Sequence, residues 1–317
     1  MKLIRSSSTI VVPQKEKMPL TMDRDRAPDA VFLEIGFGNG EFLASLAEKS
    51  PGSVFWGAEM SPSCLVRAMK RILRQGVENV FLVHADARFF LKECVPSCSL
   101  DGIYMNFPCP WPKKKHARRR VSGGGFPPEL ARVLKPGGFF ELVTDEEWYG
   151  LEVEAALQSC SDLLREAWEI NPPRPEKTKY ERKWLGMGKR IFLSRFIKKN
   201  VPAAVRDDYI GRAGDMHLSV PGRIGLDSVL ASLRNEEGRT EEGFWVFKRT
   251  WSASDDARLI EVVAGDGAFE QKFFLQVVQR EEDVLVKTSA YSVPFLTPAV
   301  RGAMERLAER LGTAAMG

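Results

Sequence analysis

The sequence predicts an α/β fold with a doubly wound, mostly parallel sheet, followed by a C-terminal α+β appendage. In the first 200 of its 317 residues, short apolar runs alternate with segments of helical length and pattern. In the tail, four apolar runs follow one another without an intervening helix. Parallel strands need a crossover connection, usually a helix, whereas strands in direct succession indicate antiparallel pairing.

Each element is predicted from its own residue pattern. The strands of the main sheet are predicted at Val31–Ile35, Val54–Glu59, Val80–His84, Gly102–Asn106, Phe139–Thr144 and Arg190–Ile197. The helices between them are predicted at Glu41–Lys49, Pro62–Gln75, Arg88–Cys94, Gly125–Val133 and Glu146–Cys160. In the tail, strands are predicted at Phe244–Ser252, Arg258–Val263, Phe269–Gln279 and Asp283–Ser292, and an amphipathic helix at Ala299–Leu311.

Composition divides the chain and excludes some classes of protein. We expect an N-terminal extension over 1–27, a main domain over 28–200 and a C-terminal domain of unknown role over 201–317. No apolar run approaches the roughly 20 residues that span a bilayer, and no secretion signal is recognisable. Five cysteines, with Cys94 and Cys98 separated by three residues, and only three histidines argue against a zinc site. We therefore expect a cytoplasmic protein with reduced thiols, no membrane segment and no metal.

The charge is distributed unevenly. Residues 1–200 hold 32 lysines and arginines against 24 acids, whereas residues 201–317 hold 14 against 18. The basic excess includes six cations within Lys113–Arg120 and ten, against two acids, within 174–199. The first part is thus the candidate for contact with phosphate, although a solvated basic face is an equally good interpretation of the surplus alone.

A glycine-rich turn and three acids predict a cofactor pocket. Gly36, Gly38 and Gly40 follow the first strand, and Glu34, Glu59 and Asp86 lie at or just after the ends of the first three strands. Carboxylates there would repel a pyrophosphate but suit an adenosine that carries a sulfonium and an ammonium group. Glu59 can bind both ribose hydroxyls and Asp86 an adenine amino group. S-adenosylmethionine therefore fits better than NAD, although the glycines alone could form a plain strand–helix turn.

The segment from Asn106 to Lys113 contains three prolines within five residues. Since each proline lacks an N–H donor and fixes φ, the segment forms neither a helix interior nor a central strand. We expect a rigid loop whose Trp111 either stacks on an extruded base or packs on the core.

The combined motifs resemble the tRNA (guanine-N7-)-methyltransferases, which are class I S-adenosylmethionine-dependent enzymes, over about residues 28–198. The motifs are Glu34–Gly40, Ala85–Ala87, Asn106–His116, Lys135–Gly138, Thr144-Asp145 and Thr178–Glu181. The resemblance implies a seven-stranded class I methyltransferase sheet and methyl transfer to guanine N7 in the tRNA variable loop. The implied cofactor-binding residues are Glu34, Gly36, Gly38, Gly40, Glu59, Asp86, Ala87 and Asn106. The implied substrate-binding residues are Lys113, Asp145, Thr178, Lys179, Tyr180 and Glu181.

One position departs from the family pattern, because Cys109 stands where the family has its active-site Asp. Guanine N7 carries a lone pair and no proton, so methylation needs alignment of the reacting atoms rather than a general base. Asp145 is the candidate to hold the guanine in place of the missing Asp. The alternatives are a catalytically weakened RNA-binding relic, a class I methyltransferase for another RNA, and a methyltransferase for proteins or small molecules. The oligomeric state, monomer or homodimer, stays open.

Overall fold

The computed structural model describes residues 9–120, 123, 125–200, 205–206, 208–210, 216–241, 243–267 and 269–315, without the side chains of His116, Arg118, Arg119 and Ala315. The chain forms two compact units. The first comprises Met1–Pro13 and Pro19–Tyr209, and the second comprises Gln14–Met18 and Ile210–Gly317. Within the described ranges, no helix is both long enough and apolar enough to cross a membrane.

The first unit is built on a mixed, mostly parallel sheet. Its strands are β1 (Ile10–Val11), β2 (Val31–Ile35), β3 (Val54–Glu59), β4 (Val80–His84), β5 (Leu100–Asn106), β6 (Leu134–Thr144), β7 (Leu163–Ile170) and β8 (Phe192–Lys198). The spatial order is β1-β4-β3-β2-β5-β6-β8-β7. Strands β1 to β6 pair in parallel, and β8 is antiparallel to both β6 and β7. The predicted doubly wound sheet is confirmed, and its order reverses beside β2, where such sheets bind ligands.

Two strands of the first unit, and β9 and β10 of the second (His217–Pro221 and Glu237–Arg239), were not predicted from the sequence. Strand β7 lies at an edge, and Leu163 is its one buried residue, so it lacks the apolar run that marks the central strands. Strand β1 adds two residues beside β4, which gives eight strands in the described sheet where the family resemblance implies seven. The predicted strand Arg190–Ile197 begins two residues early, because β8 starts at Phe192.

Helices α1 (Glu41–Lys49), α2 (Pro62–Gln75), α3 (Ala87–Cys94), α4 (Phe126–Val133) and α5 (Glu147–Gln158) agree closely with prediction, and α6 (Lys179–Gly186) was not predicted. Helix α2 shows why the ends of a helix could be predicted from the sequence. The Ser61 hydroxyl accepts a hydrogen bond from the Cys64 N–H, Pro62 opens the first turn, and Gly76 ends the helix at φ 69°. Helix α6 has eight residues, of which only Glu181 is buried, so its hydrophobic pattern is weak.

The central strands are apolar on both faces because helices cover both sides of the sheet. Leu33, Trp56, Leu82 and Ile103 are completely buried. The Trp56 indole N–H donates to the Met22 carbonyl at 2.7 Å, which fastens the N-terminal extension to this core. The sheet thereby holds the carboxyl ends of β2 to β6 in fixed register.

The second unit is α+β, as predicted. Its strands β9 (His217–Pro221), β10 (Glu237–Arg239), β11 (Gly243–Ser254), β12 (Ala257–Asp266), β13 (Phe269–Gln279) and β14 (Asp283–Thr288) form an antiparallel sheet in the order β10-β11-β12-β13-β14-β9. Helices α7 (Leu226–Ser232) and α8 (Pro298–Ala315) contribute to the same apolar core, where Ala303, Met304 and Leu307 are fully buried. The unit thus has a core of its own.

Candidate functional site

The glycine turn after β2 adopts a conformation that glycine permits most readily. Gly36, Gly38 and Gly40 have φ values of 72°, 55° and 69°. A Cβ at Gly36 or Gly38 would meet no atom within 4 Å, whereas one at Gly40 would lie 2.6 Å from the Ala68 Cβ. The first two glycines therefore leave open space for a ligand, and the third lets α1 approach α2.

Glu34 is the buried acid of the site. Its Oε1 accepts a hydrogen bond from the Asn106 amide at 3.1 Å, and its Oε2 has no hydrogen-bond partner among the described residues. Burial is the largest influence on the carboxyl and raises its pKa to about 7, partly offset by the Asn106 hydrogen bond and the charge of Arg174. An unpartnered, buried oxygen is costly unless a ligand supplies a donor.

The other two predicted acids already receive backbone hydrogen bonds. Glu59 accepts from the N–H groups of Gly38 at 3.1 Å and Ser61 at 2.9 Å, which ties the end of β3 to the glycine turn. Asp86 accepts from the Arg88 N–H at 2.9 Å and from its guanidinium at 2.8 Å, and it caps α3, whose first residue is Ala87. Asp86 Oδ1 also accepts from the Arg88 Nε at 3.2 Å, which leaves its Oδ2 and both Glu59 oxygens able to accept a second hydrogen bond from a ligand.

Arg174 connects the predicted cofactor side to the predicted substrate side. Its guanidinium donates to Glu181 at 2.6 Å, to the Asn106 side-chain oxygen at 2.9 Å and to Glu141 at 3.4 Å. The Arg174 side chain is 5% exposed and that of Glu181 1%. Since Asn106 also donates to Glu34, a continuous hydrogen-bonded chain runs from Glu34 to the start of α6.

The segment that carries Arg174 lies against α1. The Ser45 hydroxyl donates to Glu176 at 2.6 Å, and Lys49 forms an ion pair with the same carboxylate. Further along, Arg182 pairs with Glu41 in the first turn of α1. Helix α1 directly follows the glycine turn, so these contacts hold the segment 174–182 beside that turn.

The Thr178–Glu181 element is the N-terminal turn of α6. The Thr178 hydroxyl accepts from the Glu181 N–H at 3.1 Å, and both residues are buried. Lys179 and Tyr180 are exposed, Tyr180 by 57%. Within this element, Thr178 and Glu181 hold the turn in place, and Lys179 and Tyr180 face outward where a ligand could reach them.

The proline loop, residues 106–113, contains two residues with left-handed backbone conformations and is held in place by Arg120. Phe107 and Trp111 adopt φ values of 49° and 46°, which non-glycine residues rarely do. The Arg120 guanidinium donates to the carbonyls of Pro110 at 3.1 Å and Trp111 at 3.0 Å, and pairs with Glu152. The sequence led us to expect that Arg120 contacts phosphate. Its guanidinium instead forms hydrogen bonds and an ion pair within the protein.

Three predicted residues lie outside the Arg174 network. Cys109, between the first two prolines of the proline loop, and Lys113, at its end, are exposed. Asp145, directly after β6, forms an ion pair with Lys189 at 3.0 Å, and the same ammonium lies 3.9 Å from the centre of the Trp184 ring. Among the described residues, none of the three forms a hydrogen bond with Glu34 or Arg174.

Sequence reasoning missed Arg174, Arg88 and Glu141 as members of the site. Two features of the sequence could have suggested Arg174: it stands between prolines in Pro172-Pro173-Arg174-Pro175, and four residues later the buried capping sequence of α6 begins. Within the described ranges, no group of three or more His, Cys, Asp or Glu could hold a metal ion.

The raised pKa of Glu34 predicts how stability depends on pH. The carboxyl titrates at about 7 when folded against an ordinary value of 4.5, so the wild type should lose stability as the pH rises from 5 through 7. Glu34→Gln does not titrate. We expect its advantage in free energy of unfolding to grow from near zero at about pH 4 to on the order of 3 kcal/mol at about pH 8.5. Urea unfolding across this pH range measures the difference, and a constant difference would contradict the prediction.

Known proteins match this chain at two scales, one over the first unit and one over most of its length. A methyltransferase family model, Methyltransf_4, matches residues 28–194. The tRNA (guanine-N(7)-)-methyltransferase of Thermotoga maritima is 36% identical over 89% of each chain. The enzymes of the same name from Thermus thermophilus and Aquifex aeolicus are 34% and 29% identical over 88% of this chain, which covers 88% and 93% of theirs. These matches extend well beyond the glycine turn that methyltransferases share, and the chain belongs to the tRNA (guanine-N(7)-)-methyltransferase family.

Proposed function

We propose that this protein transfers a methyl group from S-adenosylmethionine to N7 of a guanosine in the tRNA variable loop. The observation that carries the proposal is the hydrogen-bonded chain from Glu34 through Asn106 and Arg174 to Glu181. It joins the carboxylate beside the glycine turn to the turn that exposes Lys179 and Tyr180. A methyltransferase needs its two binding sites adjacent, and this chain of contacts supports such an arrangement.

The residues around the glycine turn suit the proposed cofactor. The unpartnered Glu34 Oε2 would accept a hydrogen bond from the ammonium group of S-adenosylmethionine, and Glu59 would accept hydrogen bonds from the ribose hydroxyls of the cofactor. Asp86 would accept a hydrogen bond from the adenine amino group at the acceptor position that Arg88 does not occupy. Ala87 and Asn106 would line the pocket. The space over Gly36 and Gly38 lets the ligand approach the backbone. When bound, S-adenosylmethionine supplies a methyl group activated by the positive sulfonium.

The residues that would hold the guanosine are Lys113, Asp145, Lys179 and Tyr180. Lys179, Tyr180 and Lys113 are exposed, and their side chains take part in none of the hydrogen bonds or ion pairs found among the described residues. Tyr180 would stack on the extruded base and the lysines would contact flanking phosphates. Asp145, held by Lys189, would accept from the guanine amino group.

The chemistry requires alignment and little proton transfer. Guanine N7 presents an in-plane lone pair, so no side chain has to remove a proton before attack. The buried Arg174 network would fix the distance between the two binding sites, and the proline loop would exclude water. Cys109 is exposed at that loop, and in this scheme it contributes to positioning at most.

Glu59 supplies the first test, through cofactor affinity. Glu59→Ala removes the carboxylate proposed for the ribose and also the acceptor of the Gly38 and Ser61 N–H groups. We expect the dissociation constant for S-adenosylmethionine to rise at least tenfold by calorimetry. Glu78→Ala, an exposed acid next to β4, serves as the control. Unchanged affinity in Glu59→Ala would remove Glu59 from the cofactor site.

Arg174 supplies the second test, through its role as a positioning residue. Arg174→Lys keeps the charge, but an ammonium cannot reach Glu181, Asn106 and Glu141 with a planar fork. We expect kcat/KM for tRNA to fall about 10- to 100-fold and cofactor affinity to weaken as well. Arg195→Lys is the matched control, because Arg195 pairs with Glu141 and Glu166 but not with Asn106 or Glu181. Equal losses in both variants at equal thermal stability would contradict a positioning role.

Cys109 supplies the third test, through single-turnover formation of 7-methylguanosine on unmodified tRNA. If the loop only positions the base, Cys109→Ala should retain activity, Cys109→Asp should change the rate modestly, and Asp145→Ala should cost far more than either. No product from the wild type at saturating cofactor would favour the RNA-binding relic. A rise of several orders of magnitude in Cys109→Asp would show that a carboxylate is indispensable there.

A further inference from the structure

One face of helix α2 carries four basic side chains and no acidic one. Arg67, Lys70, Arg71 and Arg74 are spaced i, i+3, i+4 and i+7, so they share one face of the helix. The opposite face, formed by Leu65, Ala68, Met69 and Ile72, packs into the apolar core beside α1. Between Glu59 and Glu78 the sequence contains no acid. We call these four cations the basic stripe of α2.

The cations of the basic stripe lack carboxylate partners among the described residues. Arg67 donates to the Cys64 sulfur at 3.0 Å and Arg74 to the Lys70 carbonyl at 3.3 Å, both within the helix. Elsewhere in the first unit, Arg88, Arg120 and Arg174 are each paired with an acid. Like charges four residues apart destabilise a helix by a few tenths of a kcal/mol per pair, so the stripe has a cost in the protein by itself.

The basic stripe borders the proposed active site. The Arg71 guanidinium donates to the Asn39 carbonyl, within the glycine turn, at 3.2 Å. Helix α2 also begins at Pro62, three residues after Glu59, and Ala68 lies directly against Gly40. From Arg67 to Arg74 the stripe extends for about 10 Å along the helix. A polyanion whose guanosine occupies the site would therefore pass within reach of it.

We propose that the basic stripe of α2 binds backbone phosphates of the tRNA substrate, beyond the nucleotide that is methylated. This inference rests on the proposed function and adds a second anchoring surface to it. The contacts would be independent of sequence, because lysine and arginine bind phosphate by charge. They would position the tRNA without touching the reacting base, and so should affect its affinity rather than the methyl-transfer step.

The test compares the salt dependence of tRNA binding in two triple variants. Arg67→Gln/Lys70→Gln/Arg74→Gln removes three charges from the stripe, retains Arg71 at the glycine turn, and introduces a good helix former. Arg234→Gln/Arg239→Gln/Arg249→Gln removes three exposed cations from the second unit as a control. We expect the slope of log affinity against log salt to flatten by about 2 to 3 in the first variant and to stay unchanged in the control.

Further measurements separate this proposal from the proposed function. Arg67→Lys/Arg74→Lys keeps the charge and should keep the wild-type slope, and the stripe variant should retain the wild-type cofactor affinity and single-turnover rate at saturating tRNA. An unchanged slope in the stripe variant would overturn the proposal even if the wild type makes 7-methylguanosine. Lost binding to phosphatidylglycerol vesicles with an unchanged tRNA slope would assign the stripe to a membrane surface instead. Absence of product from the wild type would overturn the proposed function, whatever the slopes.

Discussion

The Arg174 guanidinium, 5% exposed, must be paired within the protein, because an unpaired charge at that depth costs several kcal/mol. Its fork reaches Glu181, Asn106 and Glu141, which belong to α6, β5 and β6. The start of α6 and the ends of two central strands therefore cannot shift independently. Because Asn106 also holds Glu34, the geometry of the glycine turn depends on the same cation. This constraint explains why an eight-residue helix with a weak apolar face forms where it does.

The three strand-end acids have different environments. Glu59 and Asp86 accept backbone hydrogen bonds, whereas Glu34 is buried with one oxygen unpartnered among the described residues, and its pKa is raised. A group held against its solvation preference lowers stability and is typical of a binding site. In the proposed enzyme, the ammonium group of the cofactor would donate a hydrogen bond to the unpartnered oxygen of Glu34.

Basic side chains in the first unit serve two purposes. Arg120, Arg174 and Arg88 face inward and fasten loops and strand ends through planar, multidentate contacts. Arg67, Lys70 and Arg74 of the basic stripe, together with Lys113, are exposed. The surplus of basic residues in the sequence therefore overstates the charge available to a polyanion, and only the pattern of ion pairs shows which part of it is accessible. The second unit, with its own apolar core and net acidity, does not contribute to this surplus.

The sequence by itself determined the alternation of strands and helices, the glycine turn, and the family to which the chain belongs, because these depend on local patterns such as Ser61-Pro62, Gly36–Gly40 and continuous apolar runs. It did not reveal β7 or α6, whose residues are largely exposed and lack a strong period. Nor could it show that Arg120 turns inward or that Arg174 joins Asn106 to Glu181, residues 68 and 7 positions away. The Arg174 contacts form where β5, β6 and the segment before α6 meet at one edge of the sheet. Only the tertiary structure brings these three parts of the chain together.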